Sequence, residues 1–533
     1  MNEEVCMKLC LIMILTFLPA SPALLAQESP DSASISGSAQ VDDMRNLLIE
    51  RVQYKEGTLF RNDFVRDYSL FDVLSSHAAE SSFMNELRYR ESNLQHRIGL
   101  STSHQSLSAT FFPLLEGASY GEENGMPQWK QSYGLAVAGS LGQDFVFYAK
   151  AVDSRIQGGI LEIDGGFSSQ PAYDLHAGSP TLYNYYDTEF QLGARFGFVQ
   201  VFVEKIRNTW GYGRGGQLVL SPRAPSYPQL RGSIQLLHNL KFTVLAGFLD
   251  GHLLDPTRYY TDENYYMYSN FRQADHSKYI FAHVLEYSPI EQLNFAAGEE
   301  MIVGDRFAPE YILLPIAFYH NLYMQSGGLD QTNIWGGARY TYRGLGTAYA
   351  TLFIDDFNTS QDFYDVGGTV GATLVDIGHR NLDATVEFTA ITPFVYSNNN
   401  TLLYRTTDGY PLGDWLGQNA ERAQVWLDYR PLPQVWISAT YVTMRKGLPG
   451  KLIDQYGRGA DRSLVEFLKG PMFKRNEFSL RTRWEMYSGL FADITYRLAT
   501  QTDQVLNRYP SFRSRSFISF ALKLNVFDRD DEL

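Results

Sequence analysis

The feature that most constrains this chain is a strict two-residue alternation through "NEFSLRTRWEMYSGLFADITYRLA", residues 476–499. Phe478, Leu480, Thr482, Trp484 and Met486 fall on one side of an extended chain, and Glu477, Ser479, Arg481, Arg483 and Glu485 fall on the other. After a tight turn at Ser488 and Gly489, Ala492, Ile494, Tyr496 and Leu498 oppose Asp493, Thr495 and Arg497. Successive side chains of a strand point to opposite faces, so this is a β-hairpin with one apolar and one polar face. A soluble sandwich alternates too, but with shorter strands and fewer repeats than follow here.

The hairpin recurs along the chain. "YGLAVAGSLGQDFVFYAKAV" turns at Gly142, "EFQLGARFGFVQVFVEKI" at Gly197 and "SIQLLHNLKFTVLAGF" near Asn239. "YIFAHVLEYSPIEQLNFAAGEEMIV" turns at Pro289, "IWGGARYTYRGLGTAYATLFID" at Gly344 and "TVGATLVDIGHRNLDATVEFTAI" at Gly378. "AQVWLDYRPLPQVWISATYV" turns at Pro431 and Pro433. Gly, Pro and Asn stand where tight connections need them. Between the hairpins lie longer polar and aromatic stretches, roughly 156–186, 210–228, 250–277, 304–331, 393–419 and 446–474. Short turns alternating with long loops are the pattern of outer-membrane barrels, with the short turns in the periplasm. A sheet in lipid must also close, because an open edge leaves backbone groups unpaired. The expectation is an all-β transmembrane antiparallel β-barrel over residues 91–527, with about 18 strands (16–20), followed by an acidic tail, 528–533. "NLQHRIGLSTSHQSLSATFF" fits either one strand or two.

The start of the chain fits export to the bacterial outer membrane. Lys8 precedes an apolar run from Leu9 to Leu18, with small residues after it, so residues 1–26 read as a secretory signal peptide. No cysteine follows the run to carry a lipid anchor, and Cys6 and Cys10 both lie within the signal peptide. The mature chain is then expected to lack disulfides and thiolate metal sites. Residues 27–90 read as a periplasmic linker and short helical segment. "QESPDSASISGSAQ" is small and polar, and "DDMRNLLIERVQ" has an apolar helical face of Met44, Leu47, Leu48 and Val52. The 35 Tyr and 34 Phe with a mean hydropathy of −0.24 suit strands that are apolar on one face only. A net charge of −14 argues against nucleic acid as a partner.

One stretch invites a different reading. Gly211, Gly213 and Gly216 spell the glycine spacing of a dinucleotide-binding turn. Such a turn must open a helix, and Pro222, Pro225 and Pro228 prevent one. No acidic residue follows at the required distance either, so no cofactor is expected. The same stretch, "WGYGRGGQLVLSPRAPSYP", resembles a segment shared by outer-membrane capsule-assembly proteins of the Wzi type and their relatives in gliding bacteria. The matching positions are Trp210, Gly211, Gly213, Gly216, Leu218, Leu220, Ser221, Ala224, Pro225, Ser226 and Pro228. "LEYSPIEQLNFAAGEEMIVGDRFAPEYILLP" is similar to that family as well. The resemblance implies a barrel of about 18 strands with N-terminal helices at its periplasmic mouth. It also implies binding of capsular or other surface polysaccharide and its retention on the cell. The enterobacterial form has a second Trp before the glycine, where Thr209 stands here.

Candidate site residues follow from chemistry. The glycines of 211–216 let a loop fold tightly over or into the barrel. Alternatively, Trp210 and Tyr212 stack on sugar while Arg214 pairs with an acidic group on it. "TRYYTDENYYMYSNFRQ" holds Tyr259, Tyr260, Tyr265, Tyr266 and Tyr268, five tyrosines in ten residues, close to Arg258. These are either a glycan-binding loop or part of an aromatic girdle at the outer interface. Arg481, Arg483, Glu485, Asp493 and Arg497 are expected to line the lumen, pairing across strands or selecting solutes. Asp355, Asp356 and the tail "DRDDEL" read as solvated charge, and no histidine spacing suggests a metal. His252 and His276 stand near Asp250 and Asp275, but no nucleophile motif accompanies them, so no enzyme is expected. The expected partners are surface polysaccharide and outer-membrane lipid or lipopolysaccharide, around a monomer. A small-solute pore and a structural part in a gliding-motility or secretion complex are the alternatives.

Overall fold

The computed structural model describes Phe64, Val65 and residues 100–525, except 105–106, 123–127, 143, 159–173, 180–181, 262–270, 307, 326–329, 359–362, 399, 449–465, 488 and 505–510. The expected signal peptide, the helix over 42–52 and the tail 528–533 lie outside the described residues.

The first strands are β1 (Leu100–His104), β2 (Leu107–Glu122), β3 (Gln128–Leu141), β4 (Phe145–Gln157), β5 (Asp174–Ser179), β6 (Leu182–Phe196) and β7 (Val199–Ile206). The middle of the chain adds β8 (Tyr227–Leu237), β9 (Leu240–Thr261), β10 (Phe271–Ile290), β11 (Leu293–Gly304), β12 (Gln331–Tyr342), β13 (Gly346–Asn358), β14 (Phe363–Leu374) and β15 (Leu382–Ile391). The last are β16 (Thr406–Thr407), β17 (Tyr410–Pro411), β18 (Ala420–Leu432), β19 (Val435–Lys446), β20 (Phe473–Tyr487), β21 (Leu490–Asp503) and β22 (Phe512–Leu524). Two short helices, α1 (Pro309–Leu313) and α2 (Tyr319–Gln325), lie between β11 and β12.

From β2 onward each strand pairs antiparallel with the next, passing over β5, β16 and β17. The last strand returns to the first of the wall, from Leu115↔Leu524 to Glu122↔Phe517. The result is a closed antiparallel barrel of 18 strands. β1 fills the seam beside the start of β2, and β5 pairs only with the outer end of β6. β16 and β17 form a separate small hairpin.

The turns fall where the sequence puts them, because only certain residues make them. Gly142 and Gly344 close their hairpins at φ 65° and 70°, a region that strains residues with a Cβ. The hairpin 476–499 has the expected register, with Leu480 opposite Tyr496 and Arg483 opposite Asp493. Phe478, Leu480, Trp484, Ile494 and Tyr496 are exposed, while Glu477 and Asp493 are buried. Apolar residues outside and charged residues inside are the inverse of a soluble fold. They place the band marked by Leu135, Leu192, Leu352, Val370 and Ile518 against lipid.

Two expectations change, and one open alternative closes. The stretch 250–277 is not a long loop, because β9 and β10 run on as a ribbon, pairing Thr261 with Phe271. Its Tyr and Thr residues favour strand, and their polar faces are tolerated beyond the membrane. The stretch 156–186 contains β5. Finally, "NLQHRIGLSTSHQSLSATFF" yields two strands, and the wall itself begins at Leu107.

Candidate functional site

The loop between β7 and β8 folds into the barrel and does not lie over its rim. Trp210 pairs with Leu220 and with Val65 in isolated antiparallel bridges. The Gly211 N–H donates to the Phe64 carbonyl at 2.9 Å, and the Phe64 N–H donates to Glu286 Oε1 on β10 at 2.9 Å. Trp210 lies edge-on to Trp335 of β12, and Tyr212 edge-on to Phe64, with centroids 6.3 and 5.1 Å apart. The Tyr212 hydroxyl donates to Asn294 on β11. Here the glycine spacing finds its cause. A Cβ at Gly213 would overlap the Gly216 carbonyl, and one at Gly216 would overlap the Asp414 carboxylate.

Arg214 carries the loop to the far wall. Its guanidinium donates two bonds to Asp428 of β18, at 2.6 and 3.2 Å, and lies over the Trp426 ring. The Arg214 and Gly215 N–H groups donate to Glu387 of β15, at 2.6 and 3.0 Å.

A second inward loop, from Thr392 to Asn419, packs against the first. The Ser221 N–H donates to the Leu412 carbonyl at 2.7 Å, Trp415 Nε1 to the Gly215 carbonyl at 2.8 Å, and the Tyr396 hydroxyl to the Leu218 carbonyl at 2.9 Å. Arg422 joins Asp414 and Glu387 in a buried triad, at 3.2 and 3.3 Å. Arg405 donates to both oxygens of Glu300 on β11 and to the Val219 carbonyl. Burial opposes the charge on Arg405, but the Glu300 carboxylate more than offsets this and raises its pKa above the ordinary arginine value. Lys278 of β10 donates to the Tyr404 and Thr406 carbonyls, both at 2.7 Å, and ties the β16–β17 hairpin to the wall. Together the two loops and their wall partners form an extended buried apolar cluster, which includes Leu218, Val219, Leu220, Leu412, Trp415 and Leu416.

Trp210 and Tyr212 are each 1% exposed, so they present no face to a sugar; they are the core of the inserted loop. Arg214 is held by Asp428. Arg258, Tyr259 and Tyr260 lie at the outer end of β9, where Tyr260 pairs in register with Arg272 and Tyr259 with Gln273. Tyr265, Tyr266 and Tyr268 lie outside the described residues. Arg481 and Arg483 both donate to Asp493, at 2.7 Å. Arg497 stands 4.0 Å from Glu477, and Glu485 accepts the Gly489 N–H at the hairpin turn. Lys523 links Asp493 to Glu116, which also pairs with Lys130 at 2.9 Å. A chain of ion pairs therefore lines the inner wall from β20 through β22 to β3. Asp355 is not solvated charge, since it accepts from Gln331, Asn333 and the Tyr396 N–H inside the barrel. His276 pairs with Asp305. Among the described residues no acidic or histidine cluster is placed to hold a metal ion.

The partners Glu300, Glu387, Asp414, Arg405, Arg422 and Trp415 were not singled out in the sequence. The one local signal was "DGYPLGDWLGQNAER", whose Gly, Pro and Trp residues mark a compact loop.

No protein-family model and no curated protein sequence matches the chain. Among solved structures it is similar to Wzi of Escherichia coli, described as an outer-membrane, carbohydrate-binding β-barrel involved in group 1 capsule assembly. The TM-score is 0.54 at 12% identity, over 89% of this chain and 97% of that one. It is also similar to OprD of Pseudomonas aeruginosa, with a TM-score of 0.41 at 11% identity, over 78% of this chain and 93% of that one. The protein is an outer-membrane β-barrel. At such identities the likeness to Wzi is one of fold.

Proposed function

We propose that the barrel binds surface polysaccharide, capsular or exopolysaccharide, and helps assemble or retain it at the cell surface. The observation that carries this reading is the filled interior. Two loops cross from one wall to the other and are fixed by the buried pairs Arg405–Glu300 and Arg422–Asp414, which give the barrel a braced interior. A braced scaffold suits a binding protein, because a preorganised frame loses little freedom on meeting a ligand. The β9–β10 ribbon, with Arg258, Tyr259 and Tyr260 on it, projects on the side of the long loops, where a glycan would be met. Wzi, whose fold is shared, binds carbohydrate.

A pore for small solutes is the second reading. One observation favours it: the ion-pair chain keeps Arg481 and Arg497 at 16% and 18% exposure on the inner wall, enough for contact with water.

The deciding experiment deletes the gene and compares cell-attached with shed polysaccharide. A shift from attached to shed, reversed by the intact gene, is the expected result. Equal partition in mutant and parent defeats the polysaccharide reading.

A further inference from the structure

Outside the barrel, one connection does something that the wall chemistry explains. On β10, Ile280, Ala282 and Val284 face the inner core, so Tyr279, Phe281 and His283 face outward. On β11, Glu300 and Ile302 face inward, so Glu299, Met301 and Val303 face outward. These outward residues are covered: Phe281 is 2% exposed and Met301 and Val303 are wholly buried, while Leu285 and Phe295, nearer the periplasmic turns, are open.

Their cover is the segment Ala308–Gln325. Tyr311 of α1 lies over Phe281 with centroids 5.4 Å apart, and Tyr319 of α2 lies over His283 at 4.4 Å. The two tyrosines meet edge to face at 5.3 Å. Beneath them sits Glu299, a carboxylate on the outer face of a membrane wall. The wall offers it one partner, His283 Nε2 of β10 at 3.3 Å, and acyl chains would offer none. The segment supplies two more: the Tyr319 N–H donates at 2.8 Å and the His320 N–H at 3.3 Å.

The other side of this segment is apolar. Ile316 is 79% exposed and Phe318 72%, with Leu313, Leu314 and Met324 also open. Glu299 is level with Ile334 of β12, and Tyr279 with Phe248 of β9, both of which are exposed on the outer face. The apolar side of the segment thus continues the lipid-facing band on both flanks.

We propose that Ala308–Gln325 is a flap laid on the outside of the barrel, and that the acyl chains of the outer leaflet cover its apolar side, Leu313, Leu314, Ile316, Phe318 and Met324. It caps Glu299 with hydrogen bonds on one face and meets lipid on the other. The flap is a lipid contact separate from any glycan site, so it stands or falls independently of the proposed function.

Spin labels on cysteines placed singly at Ile316 and Phe318, with Cys6 and Cys10 replaced by Ser, test this in reconstituted bilayers. Leu352→Cys is the lipid standard and Lys469→Cys the water standard. Collision with oxygen several-fold above that with a water-soluble nickel chelate, as at Leu352, is expected. The reverse ratio, as at Lys469, overturns the proposal. Low collision with both reagents also overturns it, because a second protein surface would then be the cover. As a check needing no variant, the wild-type chain in native membranes is labelled with a lipid-partitioning photoreactive carbene source. The peptide holding 308–325 should be labelled as strongly as wall peptides, and its absence from the labelled set overturns the proposal.

Discussion

At the scale of single residues, burial decides what each charge is worth. Arg405 and Glu300 are 1% and 0% exposed and lean on each other. Arg405→Leu therefore strands a buried carboxylate, a loss of about 3–5 kcal/mol. Arg481→Leu removes one of three cations around Asp493, leaving Arg483 and Lys523 in place. Its cost should stay within about 1 kcal/mol, as for pairs that keep contact with water. Urea midpoints in detergent should fall clearly for the first variant and barely for the second; equal shifts would show that the inserted loops are not the stabilising core. The tyrosines are a different case. Changing Tyr260, Tyr265 and Tyr266 together to Ala should leave barrel yield and heat stability near the parent. Polysaccharide binding should fall at least several-fold, since one stacking contact of about 1 kcal/mol is a factor of roughly five. Failure of that variant to assemble would make these residues a membrane girdle.

At the scale of elements, strands and turns were legible in the sequence and the inward loops were not. Strand alternation is a local signal with a period of two, and Gly142, Gly197, Gly344 and Gly378 mark turns by their own conformational freedom. The partners of Arg214 and Gly216 lie about 170 to 210 residues away along the chain, at Glu387, Asp414 and Asp428, and no local pattern encodes such a meeting. The glycines announced a tight loop but not its direction. The outer segment was missed for a similar reason. "PEYILLPIAFYHNLYMQ" is more apolar than a surface loop needs to be, yet without Glu299 beneath it nothing says which way it lies. The inward loops support a prediction of their own. Replacing residues 211–219 by a short Gly-Ser link removes Tyr212, Arg214 and Leu218 from the interior while the wall pairing stays intact. Single-channel recording should show little steady conductance for the parent and a large open current for the variant. Parent currents of similar size would favour the pore reading.

For the whole molecule, closure is the organising fact. Among the described residues no wall strand has a free edge, so heat-modifiable migration on gels and a β-dominated circular dichroism spectrum are expected for the folded protein. The seam between β2 and β22 brings together residues about 400 positions apart. Ser119→Pro would remove a backbone donor at that seam, opposite Phe520. It should speed loss of the compact gel form far more than Leu480→Ile, a lipid-face change in mid-wall. Similar rates for the two would mean that the barrel opens elsewhere.

The seam also bears on how such a chain comes into being. Joining ends that far apart costs on the order of 5 kcal/mol in loop entropy before a single pair forms. Strand pairing of neighbours can proceed hairpin by hairpin, but the ring gains its last contacts only when the final strand arrives. The chain therefore has no stable halfway house: a nascent or truncated copy lacking β22 is an open ribbon with two sticky margins. The cell must shepherd it, unfinished, until the last dozen or so residues of the wall are in hand.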